Sequence, residues 1–388
     1  MPVIDRIADF ADDLVAIRRD IHEHPELGMQ EERTSALVTD CLQKWGITTH
    51  TGIGKTGVVG VLEGKGPGRT IGLRADMDAL PIHEQTNLPF ASKNPGVMHA
   101  CGHDAHTTML LGAARYLAET KAFDGTAVFI FQPAEEGLGG ARAMLADDLF
   151  ERFPCDEIYG MHNKPDGNPG TVGIKPGVAM AGADFFDITI NASGAHAAMP
   201  HVSIDPIVIG TSLVQQLQSI VSRNVPPISP LVLSVTQIHA GSAYNVIPSQ
   251  CKIAGTMRYF DSELANTVRQ RIRDLCSGAA RSYGVEIDVD IQETFDVLVN
   301  DDALSHVMLD IAADVVGSDN ASLTKDPVLG SEDFADMLRA VPGAYCTVGH
   351  EGTIPLHNEG FVLDESILPV GASIYARLIE QRAAPIQP

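Results

Sequence analysis

The chain has 388 residues, which is long for one ordinary hydrophobic core and predicts two domains. It carries 27 basic and 50 acidic residues, a formal net charge of -23, so we expect neither nucleic acid nor an anionic membrane as a partner. The first twenty residues lack the basic start and apolar centre of a signal peptide, and no apolar run approaches the roughly 18 residues that span a bilayer. Six scattered cysteines favour a reducing, cytoplasmic location over a disulfide framework.

The first half of the chain alternates predicted helices and strands. Helices are predicted at 5–23 and 29–45, and strands at 58–64 and 70–76 are joined by a glycine-rich turn. The next elements in order are a helix at 106–119, an apolar strand at 127–132, a helix from 140 to 147 and an apolar strand at 157–162. Strands that alternate with helices indicate an α/β layer with a central sheet.

The pattern changes near residue 183. From there the predicted order is strand, helix, strand, strand, helix, strand, at 185–191, 205–223, 231–239, 251–260, 261–283 and 285–292. This order is the ferredoxin-like arrangement. The α/β character then returns with a helix at 301–315, a strand at 344–348 and a last helix from residue 369. We therefore expect a larger domain in two parts, 1–182 and 294–388, with a compact domain at 183–293 inserted between them.

Glycines 52, 54 and 57 match the spacing of the dinucleotide-binding fingerprint. That fingerprint needs a strand before it and a helix after it, whereas here a strand follows at 58–61. We interpret the glycines as a turn that enters a strand. A phosphate-binding loop ending at 54–56 is also rejected, because Thr49 occupies the position of its first glycine.

Residues 98–106 concentrate three histidines, one cysteine and one aspartate. Cysteine and histidine are the preferred ligands of borderline-soft divalent ions. The spacing of Cys101 and His103 puts both side chains on one side of a tight segment ahead of a helix. The alternative interpretation is a polar helix start with one buried cysteine.

Further candidate ligands follow the apolar strands. Glu135 and Glu136 come just after the strand at 127–132, and His162 ends the strand at 157–162, at the edge where α/β proteins place their sites. Of two adjacent carboxylates, one can bind metal while the other takes a proton from the attacking water. His357 lies in a late loop that can close over this edge. Taken singly, the acidic pair is typical of a solvated turn and each histidine of a structural residue; together they predict a metal site.

Five motifs resemble the aminoacylase/carboxypeptidase family of metallopeptidases, in the branch of hippurate hydrolases, indole-acetyl-amino-acid hydrolases and bacterial N-acyl-amino-acid amidohydrolases. They occupy residues 74–81, 99–106, 132–136, 194–196 and 245–248. The resemblance runs from Arg18 to the C-terminal helix. It implies an α/β, zinc-peptidase-like catalytic domain with a central mixed sheet, and an inserted ferredoxin-like α+β domain that serves as lid and dimerisation module.

The resemblance also implies two divalent ions, zinc or manganese with cobalt or nickel as alternatives, bound by Cys101, His103, Glu136, His162 and His357. Glu135 matches the family's general base. His196 matches a lid residue that stabilises the tetrahedral oxyanion across the dimer, and Asn245 one that holds substrate. Arg258 is our candidate for the carboxylate of the amino-acid half, because arginine binds carboxylates bidentately; its alternative is a surface strand arginine.

The sequence departs from the wider family at one motif. Asp76-Met77-Asp78 stands where the wider family has a His-x-Asp ligand motif, and the closest branch shares this pattern. The region of Cys101 then takes the place of the metal-bridging carboxylate.

The implied activity is hydrolysis of the amide bond of N-acyl-L-amino acids, hippurate-like or N-acetyl, to a carboxylic acid and a free amino acid, through a metal-activated water in a homodimer. Three alternatives stay open. One is a metallo-dipeptidase or carboxypeptidase on the same scaffold. Another is a hydrolase with Cys101 as nucleophile and His103 as its partner. The last is a non-catalytic protein that binds metal or acyl amino acids.

Overall fold

The computed structural model describes residues 3–385. Its α-helices, in chain order, are α1 Asp5–Asp9, α2 Ala11–Glu23, α3 Glu32–Lys44, α4 His103–Thr120, α5 Gly140–Ala146, α6 Leu149–Arg152, α7 Pro206–Asn224, α8 Ser262–Tyr283, α9 Asp302–Val316, α10 Phe334–Ala340 and α11 Leu368–Arg382. None of these helices combines the length and the apolar character that a bilayer crossing requires.

The strands of the described range are, in chain order, β1 Thr48–Ile53, β2 Gly57–Glu63, β3 Thr70–Asp76, β4 Thr126–Gln132, β5 Glu157–Lys164, β6 Val172–Ile174, β7 Gly177–Met180, β8 Gly182–Asn191, β9 Ala195–His196, β10 Leu231–Ala240, β11 Val246–Ile247, β12 Gln250–Tyr259, β13 Glu286–Phe295, β14 Leu298–Asn300, β15 Ala321–Leu323 and β16 Gly343–Gly349. The chain forms two compact units. The first comprises Met1–Ala179, Val299–Pro327 and Asp333–Pro388, and the second Met180–Leu298 and Val328–Glu332.

The first unit is built on an eight-stranded sheet in the order β1-β2-β4-β3-β5-β16-β6-β15. The central neighbours β4, β3, β5 and β16 run parallel, while β1, β2 and β6 pair antiparallel. Side chains of β4 such as Phe129 and Phe131 are fully buried, as expected for a parallel strand covered on both faces. The predicted α/β class with a central mixed sheet is confirmed.

The glycine-rich turn before β2 closes a β-hairpin. Strand β1 pairs antiparallel with β2, and the turn between them contains Gly54 (φ 61°) and Lys55 (φ 86°) in the left-handed region. The interpretation of these glycines as a turn into a strand is confirmed. The next two strands, β2 and β3, are consecutive in the chain but not neighbours, because β4 lies between them.

The register of the parallel strands gathers their carboxyl ends at one edge of the sheet. Asp76 at the end of β3 lies opposite Gln132 at the end of β4, and Arg74 lies opposite Gly160 of β5. The residues that follow Asp76 and Gln132, and those near the end of β5, therefore emerge beside one another.

The second unit contains a four-stranded antiparallel sheet in the order β10-β12-β8-β13. The four strands of this sheet and the two long helices follow one another as β8-α7-β10-β12-α8-β13, and the two-residue strands β9 and β11 lie between them in the chain. Aspartate side chains begin both helices, since Asp205 accepts the N–H of Ile207 and Asp261 accepts the N–H groups of Glu263 and Leu264.

A buried ion pair ties α8 to this sheet. Arg269 donates to both carboxylate oxygens of Asp184, at 2.6 Å and 2.9 Å, and to the hydroxyl of Tyr259 at 2.8 Å. Both partners of the pair are nearly inaccessible to solvent. Because the pair is bidentate and desolvated, loss of the cation would strand a buried carboxylate.

We therefore expect Arg269→Met to lower the free energy of unfolding by about 3–5 kcal/mol. Urea denaturation followed by circular dichroism measures the change. Arg271→Met is the matched control on the same helix, because the Arg271 side chain is 40% exposed and pairs with the similarly accessible Asp274; it should cost less than about 1 kcal/mol. Equal destabilisation by the two variants would contradict this assignment.

Candidate metal centre

The five predicted ligands converge within the first unit. The ligand atoms of Cys101, His103 and His162 lie within 4.8 Å of one another, and so do those of Cys101, Glu136 and His357. The Cys101 Sγ is 3.3 Å from His162 Nε2, and the Glu136 Oε1 is 3.1 Å from His357 Nε2. Cys101 belongs to both groups, so its sulfur is the atom that the two groups share.

The chemistry and environment of these donors fit divalent cations. Sulfur, imidazole nitrogen and carboxylate oxygen form a mixed set suited to zinc and neighbouring transition metals. His103 Nε2 is buried and makes no hydrogen bond within the described range, and its nearest carboxylate oxygens are 3.8–4.0 Å away. A buried polar atom without a partner is costly, and a coordinated cation would satisfy it.

Hydrogen bonds select the coordinating nitrogen of two histidines. Asp78 Oδ1 lies 3.1 Å from His103 Nδ1, which leaves His103 Nε2 to face the cluster. The Nδ1 of His162 donates to the Asn163 carbonyl at 2.6 Å, which leaves Nε2 towards Cys101. Such partners fix the tautomer and ring orientation of a metal ligand.

The segment that carries Cys101 and His103 requires a glycine between these two residues. Gly102 has φ 88°, and a Cβ there would lie 2.2 Å from Asn163 Nδ2. That amide donates to the Cys101 carbonyl at 2.5 Å, so it sits against the backbone between the two ligands. The loop carrying His357 is tied to the same segment, because the His357 N–H donates to the Ala100 carbonyl at 2.8 Å.

The electrostatics of the metal-free cluster hold protons on three candidate ligands. Burial raises the pKa of the Cys101 thiol, and the Glu136 carboxylate raises it further. Burial disfavours the charged form of His103, but Asp76 and Cys101 raise its pKa well above the ordinary value. Hydrogen bonds to Cys101 and Glu136 raise the pKa of His357 to about 10.

His162 behaves oppositely. Burial lowers its pKa, and the neighbouring His106 lowers it further, so this ring is neutral near pH 7. Its Nε2 lone pair is therefore available without loss of a proton, whereas Cys101, His103 and His357 must each release one to coordinate a cation.

Asp78 was noted in the sequence only as part of the Asp76-Met77-Asp78 departure and was given no role at the site. Its Oδ1 holds His103, and its Oδ2 accepts the backbone N–H of Glu136 at 3.0 Å. Asp78 follows the buried strand β3 just as Glu135 and Glu136 follow β4. A carboxylate immediately after a buried parallel strand was thus the signal that could have identified it.

Asp76, the first residue of the same motif, was likewise given no role. It lies fully buried, 2.6 Å from His106 Nδ1, and accepts from Arg74 Nη1 at 2.8 Å. Burial would raise its pKa, but His103, His106 and Arg74 together lower it well below the usual range. Asp76 is therefore ionised and supplies a fixed negative charge behind the cluster.

The predicted base borders the cluster. Glu135 is 6% exposed, and its Oε2 lies 4.0 Å from His103 Nε2. The backbone turns sharply before Glu135, because Ala134 has φ 52°. After it, the Gly137 N–H donates a hydrogen bond to the Glu135 carbonyl at 2.6 Å. The structure thus brings carboxylate oxygens of both Glu135 and Glu136 to 4.0 Å from the same nitrogen, His103 Nε2.

The three remaining predicted residues lie in the second unit. His196 and Asn245 are close together and exposed, because β9 pairs with β11 in the register His196 to Val246. Arg258 is half-buried on β12, and burial lowers its pKa. In the β8–β12 ladder Gln250 pairs with Asn191, at the His196 end, whereas Arg258 pairs with Ala183. Gln250 and Arg258 are eight residue steps apart on β12, which corresponds to roughly 26 Å.

Comparison with known proteins identifies the family. The model of peptidase family M20/M25/M40 matches residues 72–381, well over half of the chain. The chain belongs to peptidase family M20/M25/M40. The predicted family and hydrolase class are thereby confirmed.

Relatives of this M20/M25/M40 member match along nearly their whole length. Hippurate hydrolase of Campylobacter jejuni is 42% identical over 378 residues, 97% of this chain and 98% of that protein. N-acetylcysteine deacetylase of Bacillus subtilis is 41% identical over 367 residues, 94% and 95% of the two chains. The crystal structure of a dinuclear metal-binding peptidase of family M20 from Bacillus subtilis superposes with a TM-score of 0.81 at 36% identity, covering 96% and 98%. The M20/M25/M40 chain therefore has a dinuclear metallopeptidase fold.

We expect divalent metal binding to release protons, because the pKa values of Cys101, His103 and His357 are all raised in the metal-free protein. The apparent affinity for zinc or manganese should therefore increase as the pH rises. Calorimetric titration in two buffers of different ionisation enthalpy measures the number of protons released and the apparent affinity for the metal. Cys101→Ala should weaken binding by about 10-fold or more and release fewer protons.

Cys346→Ala is the matched control for this experiment. Cys346 is also buried with a raised pKa, but it lies within β16 and belongs to none of the candidate ligand groups of the described residues. It should bind metal as the wild type does. Equal losses in the two variants would mean that Cys101 acts on stability and not as a ligand.

Proposed function

We propose that this chain hydrolyses the amide bond of N-acyl-L-amino acids, hippurate-like or N-acetyl, to a carboxylic acid and a free amino acid. The observation that carries the proposal is the buried Glu135 carboxylate beside converging sulfur, nitrogen and oxygen donors. The relatives at 42% and 41% identity, a hippurate hydrolase and an N-acetylcysteine deacetylase, support this substrate class.

In the proposed centre two divalent ions are held by Cys101, His103, Glu136, His162 and His357. Zinc and manganese are the proposed metals, with cobalt or nickel as alternatives that a mixed donor set also accepts. Ions bound there would polarise the amide carbonyl and increase the acidity of the attacking water.

The protein's own groups then supply proton transfer. Glu135 takes a proton from the attacking water and passes it to the leaving amine. Asp78 anchors the backbone of Glu136, the neighbour assigned to metal binding, so the two adjacent glutamates take different roles. Near-complete burial of Glu135 shields the transferred proton from bulk water.

Arg258 is proposed to bind the carboxylate of the amino-acid half. Among the described residues its hydrogen bonds engage Nη1 alone, with Thr256 Oγ1 and the Met257 carbonyl. The edge formed by Nε and Nη2 is thus available for bidentate contact with a substrate carboxylate.

The distance within the second unit supports a homodimer. The end of the β8–β12 ladder that adjoins His196 and Asn245 in the chain lies eight residue steps, roughly 26 Å, from Arg258, farther than one small acyl amino acid can reach. We therefore propose that the partner subunit's His196 stabilises the tetrahedral oxyanion. In this proposal the second unit serves as the lid and the dimerisation module. The edge strand β10 supports this role, since it pairs on one side only and exposes Val232 and Ile238.

The proposed setting is the cytoplasm, with a small-molecule substrate and without nucleic acid or membrane partners. All six cysteines are free, as in a reducing compartment. The net charge of -23 opposes binding to polyanions.

Metal-reconstituted protein should hydrolyse N-benzoyl-glycine and N-acetyl amino acids faster than dipeptides with a free amine. Glu135→Gln removes the proton acceptor with little change in shape, so kcat should fall by about 10²- to 10⁴-fold. Metal content, measured by elemental analysis, should stay at the wild-type level. Preferred cleavage of dipeptides would favour the peptidase alternative, and wild-type turnover by the Glu135→Gln variant would refute the mechanism.

Mixed dimers test the shared site. Glu135→Gln and His196→Ala should each be nearly inactive alone. In a mixed dimer, one site combines an intact Glu135 with an intact His196 from the other chain, so subunit exchange at a 1:1 ratio should restore about a quarter of wild-type kcat. If His196 acts within its own subunit, every site carries a lesion and mixing restores nothing.

A further inference from the structure

The short segment that carries the two glutamates is anchored on both sides of Glu135. The Glu136 N–H donates to Asp78, which also holds His103. The Ala134 N–H donates to Glu31 Oε1 at 2.8 Å. Glu135 is thus the residue between two backbone amides that are each fixed by a buried carboxylate.

Ala134 adopts a backbone conformation that alanine rarely visits. Its φ is 52°, in the left-handed region, and the residue is fully buried. A Cβ at Gly28 would lie 3.0 Å from the Ala134 Cα and Cβ, so neighbouring backbone leaves the turn little room. Such a conformation persists when surrounding contacts determine it.

Glu31 is placed to make that contact and has few other partners. It precedes α3, is fully buried, and accepts the Thr56 hydroxyl on Oε2 at 2.6 Å. Within residues 3–385 no Lys or Arg side chain pairs with it. Burying a carboxylate without a cation is costly, so its hydrogen bonds to Ala134 and Thr56 must account for its position.

We propose that Glu31 is a positioning residue for the catalytic glutamate: it holds the left-handed turn at Ala134 and thereby aims Glu135. Glu31 touches none of the candidate metal ligands, in contrast to Asp78. Its removal should therefore act on proton transfer and leave metal binding and substrate affinity in place. This inference rests on the proposed role of Glu135 as the base.

Three variants separate the roles of shape, hydrogen bonding and charge. Glu31→Leu removes both hydrogen bonds and should lower kcat by about 100-fold, with KM and metal content near the wild-type values, because small misplacements of a catalytic group have effects of this size. Glu31→Gln can accept from Ala134 and donate to Thr56, so kcat should stay within about threefold of wild type. Glu26→Leu is the matched control, since Glu26 accepts from Arg33 and Thr34 at the start of the same helix without touching Ala134.

Amide hydrogen exchange of a peptide spanning 134–140 provides a readout independent of activity. Exchange should increase in Glu31→Leu and stay low in Glu31→Gln and Glu26→Leu. If Glu31→Leu fails to fold, Thr56→Val loosens the same carboxylate and should change exchange and kcat in the same direction by a smaller factor. Unchanged exchange and kcat, or equal effects of Glu31→Leu and Glu26→Leu, would overturn the proposal. Absence of any hydrolysis by the wild type would refute the proposed function. Amide hydrogen exchange would still test whether Glu31 holds the turn at Ala134.

Discussion

The carboxylate of Asp78 joins three segments of the first unit at one point. It follows β3, binds the His103 ring at the start of α4, and accepts the Glu136 N–H beyond β4. The register of β3 and β4 brings these segments side by side, and Asp78 converts that proximity into a fixed geometry. Without it, the orientation of His103 Nε2 and the position of Glu136 would be independent of each other. The geometry of the candidate centre therefore depends on these two hydrogen bonds as well as on the ligands themselves.

Buried charge sets the second constraint, because carboxylates removed from water need compensation. Arg74, fully buried on β3, donates to Asp76, Gln132 and Asp333 at 2.8, 2.8 and 3.0 Å. On the other side of the ligand segment, burial would raise the pKa of Asp104, yet Arg18 and His22 hold it far below the usual range. The ligand segment thus lies between two compensated networks, which keep negative charge close to the candidate cation site without unfolding the core.

The sequence was most informative where a residue's role follows from its local pattern. Apolar runs predicted β4 and β5, and the polar residues after them predicted the site, because parallel strands end at one edge. Strand β1 was missed because it is mostly polar and partly exposed, and its stability comes from pairing with β2. The roles of Asp78 and Asn163 were not predicted for a related reason: their partners are distant in sequence, and only the three-dimensional register brings them to His103 and Cys101. Side-chain positions of this kind follow from tertiary packing and not from periodicity.

Backbone strain at the centre shows the cost of this geometry. Ala134 and His357 both have left-handed φ values, 52° and 61°, which cost about 1–2 kcal/mol each in residues with a Cβ. Glycine would relieve the strain in the folded state but would add conformational freedom where a base and a ligand must be held. The hydrogen bonds from Ala134 to Glu31 and from His357 to Ala100 offset the strain instead. The two turns that orient Glu135 and His357 therefore lower the stability of the folded state, and the surrounding buried contacts offset this loss.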